Sequence, residues 1–389
     1  MFAKPGDICS MLDQYEDAKV MLEQAKEQFE GVGSRLGAAQ CLQSLGNICS
    51  MLDQYEDAKV MLEQAKEQFE GVGSRLGAAQ CLRSLGDICS MLYQYEDAKV
   101  MLEQAKEQFE GVGDRLGAAQ CLQILGDICK MLSQYEDAKV MLEQAKEQFE
   151  GVGSRLGAAQ CLQSLGNICM MLSQYEDAIV MLEQAKEQFE GVGDRLGAAQ
   201  CLKSLGNICR MLSQYEDAKV MLEQAKEQFE GVGSRLGAAQ CLQSLGDICS
   251  MLDQYEDAKV MLEQAKEQFE GVGSRLGAAQ CLQSLGNICR MMSQYEDAKV
   301  MLEQAKEQFE GVGDRLGAVR CLRILGRIDH AQGYLSPAKA KFEEAKELFE
   351  AIQMPQEVGI CENCLQRVND DLAESMASRK TWRRVWCCF

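Results

Sequence analysis

Few residues in this chain are placed for chemistry. Its 389 residues contain one histidine, His330. A Ser-His or Cys-His nucleophile would depend on that imidazole alone, and the sequence offers no set of groups to orient it. Cys361-x-x-Cys364 has the spacing of half a zinc site, but no second ligand pair follows at zinc-finger spacing and His330 is remote. The recurring GVGSRLG has neither the Lys-Ser/Thr ending of a phosphate loop nor a strand before it. Carboxylates abound, yet they fall at solvated helical positions of a repeating pattern. The expectation is no catalytic residue, no metal and no cofactor.

Composition narrows the partners. The net charge is −20. That argues against a nucleic-acid groove, whose affinity comes from neutralised phosphates. Sixteen of the twenty cysteines recur at two fixed positions, from Cys9, Cys41 and Cys49 to Cys321. Cysteines at repeated helical core positions act as small hydrophobes, and no apolar leader precedes them. A reducing, cytoplasmic compartment is expected. No run reaches the length of a membrane-spanning helix.

What positions these residues is a forty-residue unit. From Ser34 it reads SRLGAAQCLQSLGNICSMLDQYEDAKVMLEQAKEQFEGVG, and it restarts at Ser74, Asp114, Ser154, Asp194, Ser234, Ser274 and Asp314. A fixed period of this length marks a stacked-repeat architecture, in which each repeat buries its apolar face against its neighbours. Four segments follow: a truncated first repeat (1–33), eight repeats (34–353), a capping helix (354–375) and a basic, aromatic, cysteine-bearing flexible tail (376–389). In the first, MFAKPG stands where later copies read CLQSLG, and the motif resumes at Asp7. The array thus opens in mid-helix, with Pro5 fraying the first turn. A start placed inside a longer array is one explanation, a poorly capped true N-terminus the other.

Each unit predicts two helices. Ser34 or its Asp equivalents are N-caps for helix A, about Arg35 to Leu52. Ala38, Leu42, Leu45, Ile48, Cys49 and Leu52 fall on one side of it. Gly46 sits inside, at a cost of roughly 1 kcal/mol against alanine. Its repetition implies another helix passing too close for a β-carbon. Asp53 or Ser133, with Glu56 or Glu136 three residues on, reads as a capping box for helix B, and Tyr93 as a weaker cap. Helix B runs from Tyr55 to about Glu70 with Ala58, Leu62, Ala65 and Phe69 as its buried stripe, stopped by Gly71 and Gly73.

At these positions the chain resembles the tetratricopeptide repeat. Leu42, Leu45–Gly46, Tyr55, Ala58, Leu62 and Ala65 stand at that family's spacing. Cys49 takes a place where the family often has tyrosine, Asp53 replaces its turn glycine, and its closing proline is missing. The longer unit is similar to Pins-type and kinesin-light-chain arrays, and to those behind nucleotide-binding domains in fungal NLR-like proteins. The resemblance spans about residues 7–353. It implies an all-α, right-handed α-solenoid superhelix whose inner groove is lined by helix A.

Differences between copies point to that face. Helix A varies at three places. The first holds Gln43, Arg83, Gln123, Lys203 and Arg323. The second holds Asn47, Asp87, Asp127, Asn167, Asn207, Asp247, Asn287 and Arg327. The third holds Ser50, Lys130, Met170, Arg210 and Arg290. Steps of four and three put all three on one side, nearly opposite the leucine stripe. With Arg320, and with the copies of Gln40, Met51 and Gln54 beside them, they are the candidate partner-binding groove. Its first half is neutral to acidic and its second half cationic, so acidic residues of a bound peptide would face the second. Free drift of solvent-facing positions would concentrate on the same face, so variation alone does not decide.

The end of the array departs from pattern. Gly333 restores the family's turn glycine, and Pro337 is tolerable in a first helical turn. Val358, Cys361, Leu365, Val368 and Leu372 give the last helix one apolar side, as a solenoid cap requires. The tail SRKTWRRVWCCF would touch a membrane if Cys387 and Cys388 were acylated, the weaker of its readings. The function expected is a non-enzymatic scaffold or signalling adaptor binding a protein or peptide. The alternative is a sensor or autoinhibitory array of a larger nucleotide-binding protein.

Overall fold

In the computed structural model, the backbone is described for residues 5–386 and side chains for residues 14–375. The chain divides into two compact units, residues 1–208 and 209–389. Every described element is a helix. The first is α1 (Pro5–Gly31). Helix pairs follow: α2 (Arg35–Met51) with α3 (Tyr55–Gly71), α4 (Arg75–Met91) with α5 (Tyr95–Gly111), α6 (Arg115–Met131) with α7 (Tyr135–Gly151), and α8 (Arg155–Met171) with α9 (Tyr175–Val192). After α10 (Arg195–Met211) and α11 (Tyr215–Gly231) come α12 (Arg235–Met251) with α13 (Tyr255–Gly271), and α14 (Arg275–Met291) with α15 (Tyr295–Gly311). The last are α16 (Arg315–Ala331), α17 (Leu335–Ala351) and α18 (Pro355–Trp386).

Both apolar stripes are buried as expected, except that Leu52 is the half-buried C-cap of α2. Each core layer uses three helices. One joins Leu122 and Cys129 of α6, Leu142, Ala145 and Phe149 of α7, and Cys161, Leu165 and Ile168 of α8. A repeat therefore cannot close its own core, and the next helix A completes it. Two glycines allow this approach. A β-carbon on Gly126 would lie 2.7 Å from Leu142 Cγ and 3.3 Å from the Ala138 carbonyl oxygen. One on Gly157 would run into the ring of Phe149 from the preceding repeat.

Helix ends follow one geometry twice per repeat. After helix B, Gly73 adopts φ +75° while the Ser74 amide donates to the Phe69 carbonyl at 2.8 Å. This is a left-handed C-terminal cap. Ser74 then caps helix A by accepting from the Gly77 amide at 3.4 Å, and Asp114 accepts from Gly117 at 3.0 Å. After helix A, Asp53 adopts φ +58° and the Gln54 amide donates to the Cys49 carbonyl at 2.8 Å. Position 53 is therefore the left-handed residue that ends helix A, not the capping box of helix B. The N-cap of helix B is Gln54, whose side chain makes no capping bond and accepts from Lys19 at 3.0 Å.

This correction reverses the expectation at Tyr93. It is no weaker cap; it holds φ +61°, against the Tyr95 ring at 6.1 Å. A bulky side chain is strained there and glycine is not. Tyr93→Gly is expected to raise stability by about 1 kcal/mol, read as a higher urea midpoint. A lower midpoint would show that the tyrosine pair outweighs the backbone strain. Gly333, at φ +79°, already makes this exchange in the last repeat.

The two ends differ from the repeats between them. In α1 the helix continues through residue 13, where every later copy turns. Without a complete helix A folded against it, nothing repays the left-handed backbone at Asp13. At the other end, α18 continues as a helix to Trp386, and Cys387 and Cys388 lie outside the described residues. The front of α18 packs against the last helix pair. Cys361 completes a core with Leu322 and Phe349, and Val368 packs with Ala338 and Phe342.

The last pair is rewired. Elsewhere a buried cysteine meets a methionine, as Cys289 Sγ meets Met301 Sδ at 3.9 Å. Here those places hold Asp329 and Lys341, paired at 2.5 Å, with Lys299 3.4 Å from the same carboxylate. Lys299 also lies over the Tyr334 ring at 5.6 Å.

Candidate interaction surface

Consecutive helices A meet along a seam with a constant offset. Gln43 Nε2 donates to Gln80 Oε1 at 3.2 Å, and Gln123 Nε2 to Gln160 Oε1 at 3.2 Å. Arg83 donates to Gln120, and Gln243 to Gln280 at 3.3 Å. One turn along, Ser164 Oγ donates to Asp127 at 3.1 Å, Ser204 Oγ to Asn167 Oδ1 at 3.0 Å, and Ser284 Oγ to Asp247 at 3.1 Å. Each partner lies 37 residues further on. The same offset sets Arg210 opposite Asp247, whose carboxyl burial pushes up while the Ser284 bond and the Arg210 charge oppose the rise.

The variable positions therefore lie together, but half-buried. Gln43, Asn47 and Ser50 and their copies through Asn287 and Arg290 line the seam, and Arg327 is exposed. Part of their hydrogen-bonding capacity holds neighbouring repeats in register. Lys130 pairs with Asp127 at 2.6 Å. Arg320 and Arg323 both reach Glu357 of α18, at 3.0 and 3.2 Å, and His330 reaches Asp371 at 2.7 Å. The cationic end is thus partly neutralised by the chain's own last helix. The sequence reading missed Glu357, and it missed the serines of the seam because they barely vary. Beside the seam runs a row of exposed methionines, Met51, Met91, Met131 and Met171 in the first unit and Met211, Met251 and Met291 in the second, each 49–62% accessible.

Comparison with known proteins agrees with the repeat architecture. The tetratricopeptide repeat family matches residues 6–71, 78–151, 157–231, 238–311 and 277–351. This chain belongs to the tetratricopeptide repeat family. A search of curated proteins returned no match. Among solved structures, the apo quorum sensor NprR from B. thuringiensis is similar at 15% identity and TM-score 0.65, covering 88% of this chain and 99% of that one. A Rap protein complexed with competence and sporulation factor is similar at 15% identity and TM-score 0.55, covering 89% and 99%. The STAND protein PH0952 from Pyrococcus horikoshii, which has a tetratricopeptide repeat sensor, gives 16% and 0.60, covering 87% of this chain and 54% of that one. These likenesses concern the fold.

The cysteines of these tetratricopeptide repeats are poor nucleophiles. Burial pushes Cys81, Cys121, Cys161, Cys201, Cys281 and Cys321 up to about 12, and Cys361 to about 11. At neutral pH they are thiols, whereas attack on a substrate and soft-metal binding both need the thiolate. Among the described residues, no three His, Cys, Asp or Glu side chains converge as a metal site. No described helix is long and apolar enough to cross a membrane.

Proposed function

We propose that this array is a non-enzymatic, cytoplasmic interaction scaffold, and that the helix A face of each unit binds a peptide or partner segment. The observation that carries the reading is the methionine row beside the polar seam. Large apolar side chains stay about half exposed in succession, next to amides that bond peptide backbone well. A peptide laid there would bury thioethers and meet glutamine and asparagine at regular intervals. The Rap protein complexed with competence and sporulation factor lends the reading support through its shared fold.

Selection of peptides from a random display library, followed by affinity measurement, tests it. Met131→Lys with Met171→Lys is expected to weaken selected peptides about tenfold, while Val140→Lys on helix B changes little. Binders indifferent to the methionine changes and lost with Val140→Lys would move the site to the other face. A second reading, a sensor array of a nucleotide-binding switch protein, draws on the STAND similarity. An in-frame phosphate loop in the genomic sequence upstream of Met1 would favour it.

A further inference from the structure

Across the seam, the third variable place of one helix A faces the second variable place of the next. In the first unit this sets Lys130 opposite Asn167, and in the second unit Arg210 opposite Asp247. At the same offset Arg290 of α14 faces Arg327 of α16, and burial and the Arg327 charge both press the Arg290 pKa down. Arg290 is half-buried, and its polar contacts are neutral: Asn287 Oδ1 at 2.9 and 3.1 Å and Met291 Sδ at 2.9 Å. Among the described residues no carboxylate forms an ion pair with Arg290 or Arg327, in a chain of net charge −20. Three other cations of this end are answered, Arg320 and Arg323 by Glu357 and His330 by Asp371. Two facing guanidinium groups repel each other, and an anion between them turns that repulsion into two charge-assisted bonds.

We propose that Arg290 and Arg327 form an anion site on the helix A face of the second unit, and that it takes the carboxylates of an acidic peptide segment. This rests on the reading of that face as peptide-binding. Guanidinium forks match carboxylate geometry bidentately. The site is local, two charges on an acidic protein, which suits a short acidic stretch and opposes a long polyanion. At Arg210 the same place faces a carboxylate of the chain, Asp247, which feels the guanidinium charge without forming a close ion pair with it.

That internal precedent defines the test. Arg327→Asp should reproduce the Arg210–Asp247 arrangement, so it is expected to raise the urea midpoint while removing the site. The probes are inorganic sulfate and a short labelled peptide of alternating glutamate and alanine, with a glutamine version as control. Sulfate should stabilise the wild type more than chloride at equal ionic strength, and should lose that advantage in Arg327→Asp. The glutamate peptide should bind more tightly than the glutamine peptide and weaken about tenfold in Arg290→Gln and in Arg327→Asp. Equal binding of the two peptides, or affinity unchanged by both arginine variants, overturns the site. Peptide binding lost in Met251→Lys but indifferent to the arginines rejects the site and keeps the face. A sulfate effect with no peptide binding rejects the acidic peptide as occupant and leaves the face to the library selection.

Discussion

Asp329→Ala is expected to destabilise the last helix pair by about 3 kcal/mol. Asp329 is buried and holds Lys341 at 2.5 Å and Lys299 at 3.4 Å. Removing one member of a buried pair leaves the other charge uncompensated, which costs roughly 3–5 kcal/mol. The lower figure applies here because both lysines are partly exposed and can turn their ammonium groups to water. The loss should appear as faster amide exchange in α16, α17 and α18. Neighbouring repeats contain the remedy. Asp329→Cys with Lys341→Met rebuilds the contact seen between Cys289 and Met301. This double variant should recover most of the loss, since well-packed apolar groups often match a buried ion pair. Equal instability of the single and double variants would mean that the ion pair is not what holds this end.

Asp87→Asn should stabilise the first unit by about 2 kcal/mol at neutral pH. Burial pushes the Asp87 carboxyl up to about 6, against the partial help of Arg83 one turn earlier on α4. Its counterparts Asp127 and Asp247 accept from Ser164 and Ser284. At the same offset Asp87 meets Ile124 of α6, which has no hydroxyl to offer, and the nearby Cys121 is a neutral thiol. The folded carboxyl thus holds its proton more tightly than the unfolded one, whose pKa is about 3.9. Below the unfolded pKa both states are protonated and nothing is lost. As pH rises through about 6 the folded state must bury a charge, and stability falls. A shift of this size corresponds to about 3 kcal/mol, reduced to about 2 for a half-buried group. The gain from asparagine should be full at pH 7.5 and vanish near pH 4, in urea midpoints measured at both. A gain of equal size at both pH values would show that ionisation is not its source. Asn47, Asn167, Asn207 and Asn287 show that the amide fits this place.

Much of the molecule was legible from local chemistry. The caps at Ser34 and Asp114, the stop at Gly73 and the stripes of both helices follow from one residue and its near neighbours. Even the close approach at Gly46 could be foreseen, because an unfavourable residue kept in every copy implies a helix lying against it. The candidate surface was legible in part. Helical spacing put positions 43, 47 and 50 on one side. It could not say that this side presses against the next helix A, nor that Glu357 would reach back to Arg320 and Arg323.

What this sequence determines alone is its period, its helices and the residues each helix buries, because those depend on contacts within a turn or two. Tertiary structure decided how the helices end and which charges remain unanswered. Asp53 and Asp13 stand in identical local sequence, yet Asp53 turns left-handed while α1 runs straight through residue 13. A left-handed aspartate costs more than a local bond returns, so it persists only where a complete helix A packs against helix B. The seam offset works in the same way. It exists only once repeats are stacked, and it leaves Arg290 facing Arg327 while Arg210 faces Asp247.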